Sequence, residues 1–147
     1  ASDPALLVGA GTVPDAAAAK ACLAAGARFL VAPWVDAALA APCRDSGALL
    51  MLGALSPTEV RTALAGGADV VKIFPASSAG GPGHLKALGS VFPGVEFCPT
   101  GGVSPDNVAA YLAAGAAFVG MGGALVDEAK IAAGDRAAIQ AVARQLV

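Results

Sequence analysis

Lys72 lies inside the run Asp69-Val70-Val71-Lys72-Ile73-Phe74-Pro75, where a buried strand ordinarily carries apolar side chains only. Burial disfavours an ammonium ion, so a lysine between Val71 and Ile73 is expected to have a depressed pKa and a neutral amine able to attack a ketone. That chemistry is Schiff-base formation. The ordinary alternative is a lysine on a solvated edge, or one that snorkels its ammonium out of an apolar run. It fits less well here, because the neighbours read as buried on both faces, as in a parallel sheet covered by helices.

Glycine-rich segments supply a second kind of chemistry. Gly9-Ala10-Gly11-Thr12, Pro99-Thr100-Gly101-Gly102 and Gly120-Met121-Gly122-Gly123 let backbone N–H groups approach an anion, and a helix starting near Ser104 is expected to add its dipole. Any one such segment is equally explained by relief of crowding at a turn. Glycine pairs near both of the last two strands, together with a strand lysine, point to a phosphorylated substrate.

The elements that must position these residues follow from an internal repeat. Ala24 to Val31, Ala65 to Val71 and Ala113 to Val119 share one grammar, in which small residues end a helix at a glycine and a short apolar strand follows. Strands are predicted at Leu6 to Gly9, Phe29 to Ala32, Leu49 to Leu52, Val70 to Phe74, Val95 to Cys98 and Phe118 to Met121, at intervals that suit a strand plus a crossover helix. Helix starts are marked by Val13-Pro14-Asp15, Ser56-Pro57-Thr58-Glu59, Gly81-Pro82 and Ser104-Pro105-Asp106. Six βα units result. The dinucleotide fingerprint GxGxxG with its later acidic residue is missing, so a (β/α)8 TIM barrel of which about six units are present fits better than a doubly wound sheet. In such barrels the chemistry lies at the C-terminal ends of the strands.

Composition narrows the function classes. At 147 residues and 56% hydrophobic, the chain is expected to form a single domain, residues 1–147, with a substantial core. Nine basic against eleven acidic residues, without a cationic stripe, argue against nucleic acid. Three widely spaced cysteines and a single histidine, His84, give little material for a metal site or a Ser-His-Asp triad, and suggest reduced cytoplasmic thiols. No metal or other cofactor is expected. Nor is a membrane association: the N-terminus does not read as a secretory signal, and the uncharged stretch Asn107 to Val126 is broken by four glycines into a helix, a turn and a strand.

Taken in order, Val8-Gly9-Ala10-Gly11-Thr12-Val13, Val71-Lys72-Ile73-Phe74-Pro75-Ala76 and Phe97-Cys98-Pro99-Thr100-Gly101-Gly102-Val103 resemble the 2-keto-3-deoxy-6-phosphogluconate (KDPG) and 4-hydroxy-2-oxoglutarate (KHG) aldolase family. The resemblance extends over essentially the whole chain. It implies a metal-independent class I aldolase, a cytoplasmic lyase and homotrimer. Such an enzyme cleaves KDPG to pyruvate and glyceraldehyde 3-phosphate, or 4-hydroxy-2-oxoglutarate to pyruvate and glyoxylate. By that resemblance Lys72 is the Schiff-base lysine, Thr12 contacts the pyruvate carboxylate, Pro33 lines the same pocket, and Phe74 is the aromatic wall beside the lysine. Thr100 reaches toward the substrate hydroxyl, and Gly101, Gly102, Gly122 and Gly123 form the phosphate site.

Two departures accompany it. The family usually has serine where this chain has Gly123, removing one hydroxyl contact. The family's first two strands, with a proton-shuttling glutamate and a carboxylate-binding arginine, precede the Gly-Ala-Gly-Thr strand, so the sequence is expected to be an N-terminally incomplete stretch of a normal aldolase. Asp69 does not substitute as the base: three residues before Lys72 on one strand places it about 10 Å away. Glu96, near the start of its strand, is no better placed, and a loop histidine such as His84 is more often simply solvated. A noncatalytic phosphate-binding relic, or another phosphate-binding barrel enzyme, remain the competing classes.

Overall fold

A computed structural model describes residues 6–146. The chain divides into two compact units, residues 1–72 and 73–147, and the boundary falls inside one strand, immediately after Lys72.

In the first unit, β1 (Ala10–Gly11), β2 (Phe29–Ala32) and β3 (Leu49–Ala54) pair in parallel, with Ala10 opposite Leu30 and Leu30 opposite Leu50. Between them run α1 (Ala16–Ala24), a 3-10 turn (Ala37–Leu39) and α2 (Ala40–Ser46); α3 (Pro57–Ala65) then leads to β4 (Val70–Ile73). Three of the four expected helix starts are found, two of them with side-chain caps. Asp15 accepts the Ala18 N–H at 2.8 Å to cap α1, and Ser56 with Glu59 forms a reciprocal capping box on α3. Buried Leu30, Ala32, Leu50, Leu52, Val60 and Ala63 form this unit's interior. Gly53 has no room for a side chain: a Cβ there would lie 2.2 Å from the Pro33 carbonyl carbon, so β3 runs directly against the Pro33–Trp34 backbone.

The second unit contains Ile73 of β4, α4 (Gly81–Val91), β5 (Phe97–Pro99), α5 (Val108–Ala113), α6 (Glu128–Ala132) and α7 (Arg136–Arg144). Ile73, Leu85, Leu88, Phe97, Cys98, Val103 and Tyr111 are among its buried side chains, and the Tyr111 hydroxyl has no hydrogen-bond partner among the described residues.

The strand order is β1-β2-β3-β4-β5. A doubly wound sheet reverses its order at a switch point; an uninterrupted sequential order belongs to the (β/α)8 barrel. The two outermost predicted strands are shorter than expected. Leu6, Leu7 and Val8 are 63%, 69% and 50% exposed, and strand structure begins only at Ala10, although the Val8 carbonyl already accepts the Arg28 N–H. Residues 118–121 contribute a single bridge, Gly120 to Thr100, instead of a strand. Strands at a sheet margin have one neighbour to pair with and one face to cover, which removes half of what stabilises an interior strand. No helix among the described residues is long and apolar enough to cross a membrane.

Candidate active site

Lys72 is the third residue of β4. Alternation along the strand sends Val71 and Ile73 to one face, where both are fully buried, and Lys72 with Val70 to the other. Val70 on the lysine's own face is buried as well, so both faces of β4 are covered and Lys72 is its one side chain that is not fully buried. The side chain of Lys72 is partly buried. Asp69, one residue before the strand, accepts the Leu50 N–H at 2.8 Å, a structural bond that ties β4 to β3.

Thr12 follows β1 directly and has φ of 55°, the sole non-glycine positive φ among the described residues. A β-branched side chain in the left-handed region costs about 1–2 kcal/mol, and strain of this kind concentrates at ligand-binding positions. The next residue anchors the turn, with the Val13 N–H donating to the Val31 carbonyl at 3.1 Å and its side chain buried. Pro33 follows β2 in the same way and abuts Gly53. Thr12, Pro33 and Lys72 therefore each stand at or next to the C-terminal end of a strand of the first unit.

In the second unit the loop after β4 and the loop after β5 are stitched together. Phe74 leads into a cis peptide bond with Pro75. The Thr100 N–H donates to the Ile73 carbonyl at 2.9 Å, the Ala76 N–H to the Thr100 carbonyl at 2.8 Å, and the Ser77 N–H to the Gly101 carbonyl at 3.0 Å. Gly101 and Gly102 have φ of 92° and 76°, and at Gly102 glycine is also sterically required. A Cβ on Gly101 would crowd the Phe74 ring at 3.2 Å, and one on Gly102 would lie 1.9 Å from the Ser77 hydroxyl oxygen. The Thr100 hydroxyl is 3.5 Å from the Cys98 carbonyl, and Gly120 leaves it room, since a Cβ at 120 would approach it to 2.2 Å. Phe74, Thr100, Gly101 and Gly102 are thus brought together. Gly122 and Gly123 lie beyond the Thr100–Gly120 bridge, in a turn closed by the Leu125 and Val126 N–H groups on the Gly122 carbonyl, with open space where their side chains would be.

Two sequence expectations are corrected here. The helix expected near Ser104 starts at Val108 and has six residues, so its dipole does not begin at the glycine pair. Instead Asn107 folds back: its Oδ1 accepts the Ser104 N–H and its Nδ2 donates to the Gly102 carbonyl, both at 2.9 Å. His84 is the fourth residue of α4, not a loop residue.

The family model described as "Aldolase: KDPG and KHG aldolase" matches residues 1–142. The chain belongs to the KDPG and KHG aldolase family. It is 38% identical over 140 residues to a 2-dehydro-3-deoxy-phosphogluconate aldolase of Treponema pallidum, covering 95% of this chain and 67% of that protein. It is 39% identical over 142 residues to the Pseudomonas aeruginosa enzyme of the same name, covering 97% and 64%. Among solved structures, the KDPG aldolase of Legionella pneumophila, with pyruvate captured as a covalent carbinolamine, superposes with a TM-score of 0.85 at 38% identity, covering 95% of this chain and 68% of that one. This chain spans about two thirds of the length of the relatives it matches. Members of this family are lyases with a TIM-barrel-like fold, which accounts for the sequential strand order.

Proposed function

We propose that this sequence carries the imine-forming and phosphate-binding part of a class I aldolase that cleaves a 2-keto-3-deoxy-6-phospho sugar acid, or 4-hydroxy-2-oxoglutarate, to pyruvate and an aldehyde. The neutral amine of Lys72 attacks the C2 carbonyl and, with loss of water, gives an iminium ion. The C3–C4 bond then breaks, its electron pair entering the iminium to form an enamine, while the C4 hydroxyl proton goes to a base and the aldehyde leaves. Protonation of the enamine and hydrolysis release pyruvate and free the lysine. The roles follow the resemblance: it gives Thr12 and Pro33 the carboxylate end, Phe74 the aromatic wall, Thr100 the hydroxyl that loses its proton, and Gly101, Gly102, Gly122 and Gly123 the phosphate. The base is the glutamate that the resemblance places ahead of Gly9. Asp69 does not serve, because its carboxylate is held by the Leu50 N–H.

The observation that carries this reading is Lys72 on β4, a cation among buried Val70, Val71 and Ile73, in a chain whose Legionella relative captures pyruvate covalently. The amine of a lysine is the group able to form such an adduct without a metal. The same reading makes the protein a cytoplasmic homotrimer with a single aldolase domain.

Borohydride trapping with pyruvate, followed by peptide mass spectrometry, tests it. An adduct on the Lys72 peptide, lost in Lys72→Ala, is expected. Absence of adduct in a folded chain, or an adduct on Lys20, Lys86 or Lys130 that persists in Lys72→Ala, would overturn it.

A further inference from the structure

We infer that Asn107 is a positioning residue for anion binding: it turns the Gly102–Val103 peptide so that its N–H edge faces the phosphate of the substrate. This rests on the phosphate role given above to Gly101 and Gly102.

Three consecutive carbonyls of the loop after β5 are each held by a protein donor: that of Thr100 by the Ala76 N–H, that of Gly101 by the Ser77 N–H, and that of Gly102 by the Asn107 side-chain amide. In a planar trans peptide the C=O of one residue and the N–H of the next point in opposite directions. Fixing the three oxygens therefore fixes the N–H groups of Gly101, Gly102 and Val103, each directed away from the donor that holds its peptide. A carbonyl oxygen turned toward a phosphate would repel it, whereas an N–H attracts it. The left-handed conformations of Gly101 and Gly102 leave this short segment few other constraints, since glycine adopts either sign of φ readily.

The first two carbonyls are held by backbone groups that no substitution removes. The third depends on one side chain. Asn107 performs two separable tasks, because its Oδ1 closes the turn at Ser104 while its Nδ2 holds Gly102. Replacement by aspartate preserves an acceptor for the Ser104 N–H but presents an oxygen to the Gly102 carbonyl; replacement by alanine removes both bonds without adding charge.

The test is a titration of the 147-residue chain with inorganic phosphate, followed through the backbone amide resonances of Gly101, Gly102 and Val103 by nitrogen-15 NMR, in wild type, Asn107→Ala and Asn107→Asp. Pyruvate trapping at Lys72 and thermal melting are measured on the same samples. Wild type is expected to show saturable shifts at these amides. Both variants should weaken phosphate about tenfold, the usual effect of losing one hydrogen bond of this kind, while trapping pyruvate as wild type does. Asn107→Asp keeps an acceptor for the Ser104 N–H, so it should melt above Asn107→Ala and keeps the test valid if Asn107→Ala folds poorly; its negative charge adds to the weakening of phosphate. Unchanged phosphate affinity in either variant overturns the role of Asn107 and leaves the phosphate reading standing. Parallel loss of phosphate binding and pyruvate trapping overturns it in favour of a merely structural role. No saturable shift in wild type overturns both.

Discussion

Replacing Gly102 by alanine tests whether the loop after β5 is built as tightly as its geometry states. Two costs add. Alanine at φ of 76° pays about 1–2 kcal/mol for the left-handed region. Its Cβ would also lie 1.9 Å from the Ser77 Oγ and 2.6 Å from the Ser77 Cβ. Rotation about the Ser77 side chain moves the hydroxyl but leaves the Cβ where it is, so the two loops must separate by about 0.8 Å to reach ordinary contact. Forced overpacking of this size costs about 1–3 kcal/mol, and separation strains the bond from the Ser77 N–H to the Gly101 carbonyl. A loss of about 2–5 kcal/mol is expected in urea unfolding of Gly102→Ala. In a Ser77→Gly background the overlap disappears and only the backbone cost remains, so the double-mutant cycle should return a coupling of about 1–3 kcal/mol. A loss below about 0.5 kcal/mol, or additivity of the two substitutions, would refute the contact on which the argument rests.

Thr12→Gly should raise stability in urea by about 0.5–1 kcal/mol, because relief of the left-handed strain exceeds the added freedom of the unfolded chain, while the yield of pyruvate adduct at Lys72 falls; a destabilised variant would contradict the strain. The Glu59 carboxylate is held below its ordinary pKa of 4.5, first by the Ser56 N–H, then by the Ser56 hydroxyl and the Leu55 N–H. A carboxyl lowered on folding stabilises above its unfolded pKa and loses that contribution as pH falls through the folded value, so the stability gap between wild type and Glu59→Gln should shrink steadily below about pH 4.5; a constant gap would contradict it. Gly123 has open space at its Cβ and no left-handed φ, so Gly123→Ser should melt as wild type does and, if the family's usual serine acts on the phosphate, bind inorganic phosphate several-fold more tightly by NMR titration. Tyr111 is 1% exposed and its hydroxyl is unpartnered; an unsatisfied buried hydroxyl costs about 1–3 kcal/mol, so Tyr111→Phe should gain about 1 kcal/mol in urea, and a loss of that size would show that the hydroxyl has a partner.

The interior of the fold was legible because apolar runs bounded by turn residues report burial directly. Phe29 to Ala32 forms a strand with the expected bounds, β3 continues two residues past the expected Leu52, and β4 ends one residue before Phe74, where the chain turns. β5 is shifted to Phe97–Pro99, since Val95 and Glu96 are outside the paired segment. The margins were less legible. Leu6 to Gly9 and Phe118 to Met121 have the composition of strands, but composition does not reveal whether a neighbour is present to accept their N–H groups. Of the candidate site, Lys72 was visible as a cation in an apolar run, and Thr12, Pro33 and Thr100 as residues just past strand ends. The left-handed conformation of Thr12 was not, because threonine is among the residues least suited to it. Asn107 was hidden for another reason: its bond to Gly102 spans five residues and depends on where the helix starts, which Ser104-Pro105-Asp106 signalled four residues too early.

The glycines of the loops deserve separate accounting, because richness in glycine was the sequence signal for an anion site and packing explains much of it. Gly101 makes room for Phe74, Gly102 for Ser77 and Gly120 for Thr100. Gly102 and Gly120 would be required in a barrel that bound nothing. What distinguishes a binding loop from a crowded turn is the direction of its peptides, and that is set by the donors that hold the Thr100, Gly101 and Gly102 carbonyls. Gly122 and Gly123 present the converse case: none of the described residues lies within 4 Å of a Cβ at either position, so their packing does not demand glycine there. Gly123 is also where the resemblance implies serine. A side chain is therefore accommodated more readily at the Gly122–Gly123 turn than at Gly102, where it first has to displace the loop that carries Ser77.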